Sequence, residues 1–239
     1  MTDLPDQIKH TFDLDAAITR LKRAIQATNT DQYIQQLKER QQQVFEYAIY
    51  ETAKNEFGKR YVETHNPNKV TAKQAVDKLI QDTVLYDKGF YFSGIPGSGK
   101  SHILLEYYYQ LLRFHFNKIQ QDARATDDYP QSYHGWIRKT VKYYYSSWIT
   151  EAIRNRERLI VAKYNLIDDF FVEELSGYIL AGWNSYIEEI NRQGCIMLIT
   201  SNVKLQTIKD YPQYARILSR IRGNCKVLET ATKDRRMEE

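Results

Sequence analysis

Phe90-Tyr91-Phe92-Ser93-Gly94-Ile95-Pro96-Gly97-Ser98-Gly99-Lys100-Ser101 is the stretch that decides the fold. Three aromatic residues read as a buried strand. The segment from Gly94 to Ser101 satisfies G-x-x-x-x-G-K-[ST], and Ser101 opens an amphipathic run to about Ile119 that reads as a helix. A glycine loop between a strand and a helix N-terminus lets backbone N–H groups close around phosphate oxygens where side chains would obstruct them. Four of the ten glycines fall between Gly89 and Gly99. Gly94, Ile95, Pro96, Gly97, Ser98, Gly99, Lys100, Ser101 and His102 are therefore assigned to the nucleotide. Lys100 is expected to reach its β and γ phosphates, and the Ser101 hydroxyl to bind Mg²⁺.

Downstream, short apolar runs alternate with longer amphipathic ones. Thr140–Tyr145, Asn165–Ile167 and Cys195–Thr200 read as strands, and Ser147–Arg154 and about Val172–Arg192 as helices, followed by a helical or mixed tail. Alternation of this kind predicts an α/β fold with a parallel sheet flanked by helices. The polar stretch Asp122–Arg138, with Pro130 and Gly135, matches no element and reads as an insertion.

The ends of two strands carry further chemistry. Leu166-Ile167-Asp168-Asp169 is an apolar strand closing on two carboxylates. Asp168 is placed to hold Mg²⁺ through water, and Asp169 to orient or deprotonate an attacking water. Ile196–Thr200 leads into Ser201 and Asn202 at the strand edge where open α/β sheets bind ligands, which puts Asn202 beside the γ-phosphate.

Upstream, the chain reads as helices. Leu14, Ile18, Leu21 and Ile25 share one face. Thr30-Asp31 opens a longer helix with Ile34, Leu37, Val44 and Ala48 on a stripe, ending near Phe57 where Gly58 supplies a stop. Residues 64–69 read as a hinge, and Thr71-Ala72-Lys73-Gln74 as a capping box ahead of Val76, Leu79 and Ile80. The expected organisation is a small all-helical module at 1–87 and a nucleotide-binding domain at 88–239.

Composition bounds the remaining classes. With 239 residues, 42% hydrophobic, 27% charged and 5 prolines, the chain is folded and neither fibrous nor low-complexity. No apolar run approaches the roughly 20 residues of a membrane helix, and Met1-Thr2-Asp3-Leu4-Pro5-Asp6 is acidic where a signal peptide is basic. Cys195 and Cys225 match no zinc or redox spacing, and a cytoplasmic setting without membrane contact is expected. The net charge of +4 arises after residue 90, where 21 Lys/Arg face 17 Asp/Glu, against 13 and 13 before it. That bias permits nucleic-acid contact without requiring it. The 19 tyrosines include the triplets 107–109 and 143–145, read mainly as core packing and secondarily as base-stacking surface.

Taken in order and spacing, Ser93–Ser101, Leu166–Asp169, Ile199–Asn202 and Ser219-Arg220-Ile221 resemble the DnaC/DnaI/IstB group of AAA+ ATPases, over about 88–236. The resemblance implies a P-loop NTPase (AAA+) domain that hydrolyses ATP with Mg²⁺. It implies helicase loading in DNA replication with a replicative DNA helicase as partner, or, as the alternative, assistance to a transposase. It also implies homo-oligomers assembled through their ATP sites on single-stranded DNA. By it Lys100 and Ser101 belong to Walker A, Asp168 and Asp169 to Walker B, and Asn202 is sensor 1. Arg220 resembles the arginine finger that reaches a neighbour's ATP, and Arg236 the sensor 2 arginine. Outside that class, the P-loop also suits a small-molecule kinase or a nucleotide-gated adaptor that does not turn ATP over.

Overall fold

The structure, a computed structural model, describes residues 30–63, 73–122, 132–171, 175 and 177–229. The chain divides into two compact units, 1–46 and 47–239, and the division falls within helix α1, Thr30–Phe57. In the first unit, α1 presents glutamines that pair one turn along: Gln35 donates to Glu39 at 2.9 Å and Gln42 to Glu46 at 2.8 Å. The expected helix at 14–25, the hinge at 64–69, Thr71-Ala72 of the capping box and Arg236 lie outside the described residues.

In the second unit, five parallel strands among the described residues form one sheet. They are β1 (Gly89–Ser93), β2 (Val141–Tyr145), β3 (Tyr164–Phe170), β4 (Ile196–Ser201) and β5 (Cys225–Glu229), in the order β2-β3-β4-β1-β5. Every residue of β1 and β4 is buried, so these strands read as unbroken apolar runs, as the interior of a two-faced parallel sheet requires. Gly89 belongs to that packing: a Cβ there would lie 1.7 Å from the Met197 carbonyl oxygen of β4.

Helices cover the sheet. On one face, Trp183, Ile187 and Ile190 of α7 (Gly177–Arg192) and Ile217, Leu218 and Ile221 of α8 (Ala215–Asn224) cluster with Tyr91, Ile167, Met197 and Ile199. Helix α6 (Ser146–Arg154) links β2 to β3, and two 3₁₀ turns, Thr207–Asp210 and Pro212–Tyr214, lead from β4 into α8. Helix α4 (Lys100–Asp122) packs on β3 and β4 and against α3 (Lys73–Tyr86). Its buried face includes Leu104, Leu105, Tyr108, Leu111 and Leu112.

The end of α1 is part of this second unit. Gly58, with φ +88, donates its N–H to the Lys54 carbonyl and closes the helix where the sequence expects its stop; α2 (Lys59–Glu63) follows. Phe57 stacks on Tyr143 of β2, with centroids 3.7 Å apart, and Glu56 pairs with Lys142 at 2.8 Å.

Two readings differ from the observed elements. The Asp122–Arg138 insertion runs into a helix, α5 (Tyr133–Thr140), capped by the Ser132 hydroxyl accepting from Gly135 N–H. Gly135 sits inside that first turn, so a residue that reads as a breaker is an N-terminal position. The mixed tail holds a fifth strand, β5, whose exposed Lys226, Val227 and Glu229 hide the apolar pattern of a strand at the sheet edge. The two tyrosine triplets serve the core first: Tyr107, Tyr108 and Tyr143 are fully buried and Tyr109 nearly so. No described helix is long and apolar enough to cross a membrane.

Candidate active site

The sheet order decides what meets what. Strand β4 lies between β1, which feeds the glycine loop, and β3, which carries the two carboxylates. The three strands end together: Ser93 pairs in register with Ser201, Phe170 also with Ser201, and Gly94 N–H extends the ladder to the Ser201 carbonyl at 3.2 Å. Their carboxyl ends thus form one edge, the position at which parallel sheets bind ligands.

The loop turns at Ser98, whose N–H reaches the Ile95 carbonyl at 3.3 Å, and passes through Gly97 and Gly99 at φ +77 and +87. Those angles are nearly closed to residues with a Cβ, which explains both glycines. Helix α4 begins directly at Lys100 and runs for 23 residues, so its N-terminal N–H groups and dipole face the loop. Lys100 is 5% exposed. Its ammonium donates to the carbonyls of Gly94 and Ile95, both at 2.9 Å, to Ser98 Oγ at 3.3 Å and to Asn202 Oδ1 at 2.8 Å. That last bond ties the loop to the end of β4. Ser101 and His102 are half-buried in the first turn of α4.

On β3, Asp168 is fully buried at the sheet interior and both its oxygens accept hydrogen bonds. Tyr143 Oη donates to Oδ2 at 2.9 Å, and Thr200 Oγ1 donates to Oδ1, which also accepts the Asp169 N–H at 3.2 Å. The strand then breaks register between Ile167 and Phe170. Asp169 takes φ +55, a left-handed conformation that Asp tolerates better than most residues. Its N–H also reaches Thr200 Oγ1 at 3.1 Å, and its carbonyl accepts from Ser146 Oγ at 2.6 Å. Ser201 Oγ holds the next carbonyl, that of Phe170, at 2.6 Å. The turn that directs Asp169 out of the ladder is therefore pinned from β4 and α6. Burial, and then the charge of Asp168, raise the Asp169 carboxyl above its ordinary range, while Lys100 acts in the opposite sense.

Lys100, Asn202, Asp168 and Asp169 thus share one sheet edge. Arg220 stands elsewhere in its surroundings: on α8, with its guanidinium 3.1 Å from Glu188 of α7. Sequence reasoning missed Tyr143 and Ser146, and placed Thr200 and Ser201 at the strand edge without their contacts to Asp168 and Phe170. The only signal for them was the run of hydroxyl residues at strand ends, Tyr143-Tyr144-Tyr145-Ser146 and Thr200-Ser201.

The donor set fits a nucleotide polyphosphate with a hard cation. An ammonium, a helix N-terminus and glycine N–H groups suit phosphate oxygens, while the Ser101 hydroxyl and the Asp168 carboxylate give oxygen ligands of the kind Mg²⁺ takes. Accepting from Tyr143 leaves Asp168 Oδ2 a further lone pair for such a role.

No protein-family profile matches the chain, and no curated protein does. Solved structures similar to it include a candidate primosome component from Streptococcus pyogenes serotype M3, 15% identical, over 73% of this chain and 90% of that one, with a TM-score of 0.49. AMPPCP-bound DnaA from Aquifex aeolicus is 12% identical over 70% of this chain and 51% of that one, with a TM-score of 0.45. DnaI, one of the names in the sequence resemblance, is 16% identical over 70% and 87%, with a TM-score of 0.42.

Proposed function

We propose that the chain is a Mg²⁺-dependent ATPase of the AAA+ type that serves DNA replication as a helicase loader and oligomerises on single-stranded DNA. The observation that carries the ATPase reading is the 2.8 Å bond from Lys100, at the start of α4, to Asn202, just past the end of the strand beside the Asp168–Asp169 pair. That proximity supports a reading in which the three groups take separate tasks on one phosphate.

The tasks follow from the chemistry of each side chain. Lys100 gives up neutral acceptors for phosphate oxygens, which hold an ammonium more strongly. That exchange releases the Asn202 amide, whose N–H₂ and carbonyl can orient a phosphoryl oxygen and a water together. Asp169, half-buried and raised in pKa, is suited to accept a proton from that water. Ser101 and Asp168 would hold Mg²⁺, which would supply charge neutralisation at the β and γ phosphates. Arg220 is proposed to act on a neighbouring subunit's ATP after leaving Glu188, with Arg236 as the second arginine, and residues 1–87 to grip the partner.

The deciding experiment has two readouts. Purified protein incubated with ATP and Mg²⁺ should release free phosphate; transfer to an added metabolite instead would mark a kinase, and tight binding with no turnover a nucleotide-gated adaptor. A pull-down from the native host should recover a replicative helicase. Recovery of a transposase would move the reading to the transposition helper.

A further inference from the structure

Asp168 is held from the neighbouring strand by a tyrosine that the sequence reading left to packing. Tyr143 lies opposite Leu166 in the β2–β3 register, on the same face as Asp168, and its length carries the hydroxyl forward to Asp168 Oδ2 at 2.9 Å. A phenylalanine at 143 would fill the same space and make no such bond. The ring is itself fixed. Phe57, the last residue of α1, stacks on it with centroids 3.7 Å apart and planes 25° from parallel, and Tyr145 meets it edge-on at 5.1 Å. Phe57 in turn meets Tyr108 of α4 edge-on at 5.4 Å.

The last turns of α1 are anchored beside this stack. Glu56, 6% exposed, pairs with Lys142 of β2 at 2.8 Å, and Thr52 Oγ1 lies 3.1 Å from His134 Nδ1 of α5. An unbroken set of contacts therefore runs from the C-terminal turn of α1, through two stacked rings and one hydroxyl, to a buried carboxylate. A buried carboxylate keeps its orientation only while its donors keep theirs.

We propose that Tyr143 is a positioning residue for Asp168, and that Phe57 sets Tyr143, so that the C-terminal turn of α1 tunes the metal-nucleotide site. The proposal deepens the ATPase reading and rests on it for the role of Asp168. The α1 turn then becomes a place where an event on the helix alters the site without touching the nucleotide.

The test uses the full chain with Tyr143→Phe, which keeps the ring and the stack, and Phe57→Leu, which keeps the hydroxyl. Three quantities are read: Mn²⁺ affinity in the presence of a non-hydrolysable ATP analogue, by electron paramagnetic resonance; analogue affinity in EDTA; and kcat and KM for ATP. Tyr143→Phe should weaken Mn²⁺ binding and lower kcat by about tenfold each, the effect of losing one hydrogen bond to a charged group. Analogue affinity in EDTA should stay at the parent level, whereas KM for the metal-bound ATP should rise, since whatever the metal loses the metal–nucleotide complex loses with it. Phe57→Leu should move the same two quantities in the same direction by a smaller factor.

A folded Tyr143→Phe chain with parent Mn²⁺ affinity and kcat overturns the proposal. So does an equal loss of analogue affinity in EDTA, which marks general damage. Should circular dichroism show that one variant has lost its fold, the other decides. A parent chain that binds Mn²⁺ and analogue but releases no phosphate sinks the ATPase reading and leaves the Mn²⁺ comparison to decide this one. A parent chain that binds neither overturns both.

Discussion

Replacing Asp169 separates its chemistry from its backbone. The residue sits at φ +55, and everything that pins its peptide unit, namely Asp168 Oδ1 and Thr200 Oγ1 on its N–H and Ser146 Oγ on its carbonyl, is independent of its side chain. Asn tolerates the left-handed region about as well as Asp, so Asp169→Asn should leave stability within about 0.5 kcal/mol. Ala does not, and Asp169→Ala should cost about 1–2 kcal/mol. The sign for Asn follows from the raised carboxyl pKa. Ionised Asp169 is disfavoured in the nucleotide-free fold, so the stability it contributes is present below its unfolded value and lost as pH rises through the folded one. Asn should therefore be no less stable than the parent at neutral pH, with any advantage fading in acid. Turnover should behave otherwise, falling by on the order of 10²–10⁴-fold with the loss of a general base, while ATP binding with Mg²⁺ persists because Lys100, Ser101 and Asp168 remain. Phosphate release, equilibrium binding and thermal melts at two pH values read all three. An Asn variant that hydrolyses ATP at the parent rate would show that the water is activated elsewhere.

Further outcomes follow from the same contacts. Lys100→Ala should weaken ATP binding by about a hundredfold or more, since it removes charge-assisted bonds to phosphate, and calorimetry giving parent affinity would exclude the loop as the site. Asn202→Asp, which places a carboxylate where Oδ1 now lies 2.8 Å from the ammonium, should hold Lys100 and repel phosphate, so a gain in ATP affinity would refute the proposed exchange. If Arg220 serves a neighbour, a 1:1 mixture of Lys100→Ala and Arg220→Ala chains should regain turnover that neither has alone, and Glu188→Gln, by freeing the guanidinium, should raise turnover at low protein concentration; no change in either experiment removes Arg220 from the site. Binding to single-stranded DNA should fall steeply with added salt, as phosphate contacts require, and a salt-independent affinity would remove the proposed DNA interface.

How much of this could be read from the chain depends on the range of the interactions involved. The P-loop was legible because its requirements are local: glycines at positive φ, a strand before and a helix after all lie within Gly89–Asp122. The boundary of α1 was legible for the same reason, since Gly58 marks its own helix end. Asp168 and Asp169 could be named from one strand, but not what holds them. Their partners come from β2, β4 and α6, and only the order β2-β3-β4-β1-β5 brings Tyr143, Thr200 and Ser146 to the same place. Strand order depends on long-range pairing, which a linear pattern does not encode. β5 shows the limit from the other side. At the sheet edge only Cys225 of its residues is buried, so the alternation that identifies an inner strand is missing, and it was left within a mixed tail.

The division of the chain follows the same logic. The expected boundary near residue 88 rests on where the sequence motifs begin, at Gly94, and the two compact units divide at 46/47. Phe57 and Thr83 carry no catalytic signal, yet the first stacks on Tyr143 and the second accepts from Tyr107 Oη at 2.6 Å. A truncation that removes 1–87 therefore strips partners from two buried tyrosines of the second unit, and loss of partner capture in it would not distinguish a missing grip from a damaged domain. Removing 1–46 leaves both contacts in place. If that shorter deletion keeps ATP binding and loses capture of the helicase or transposase, the grip lies in the first unit; if it still captures the partner, the grip lies at or beyond Tyr47.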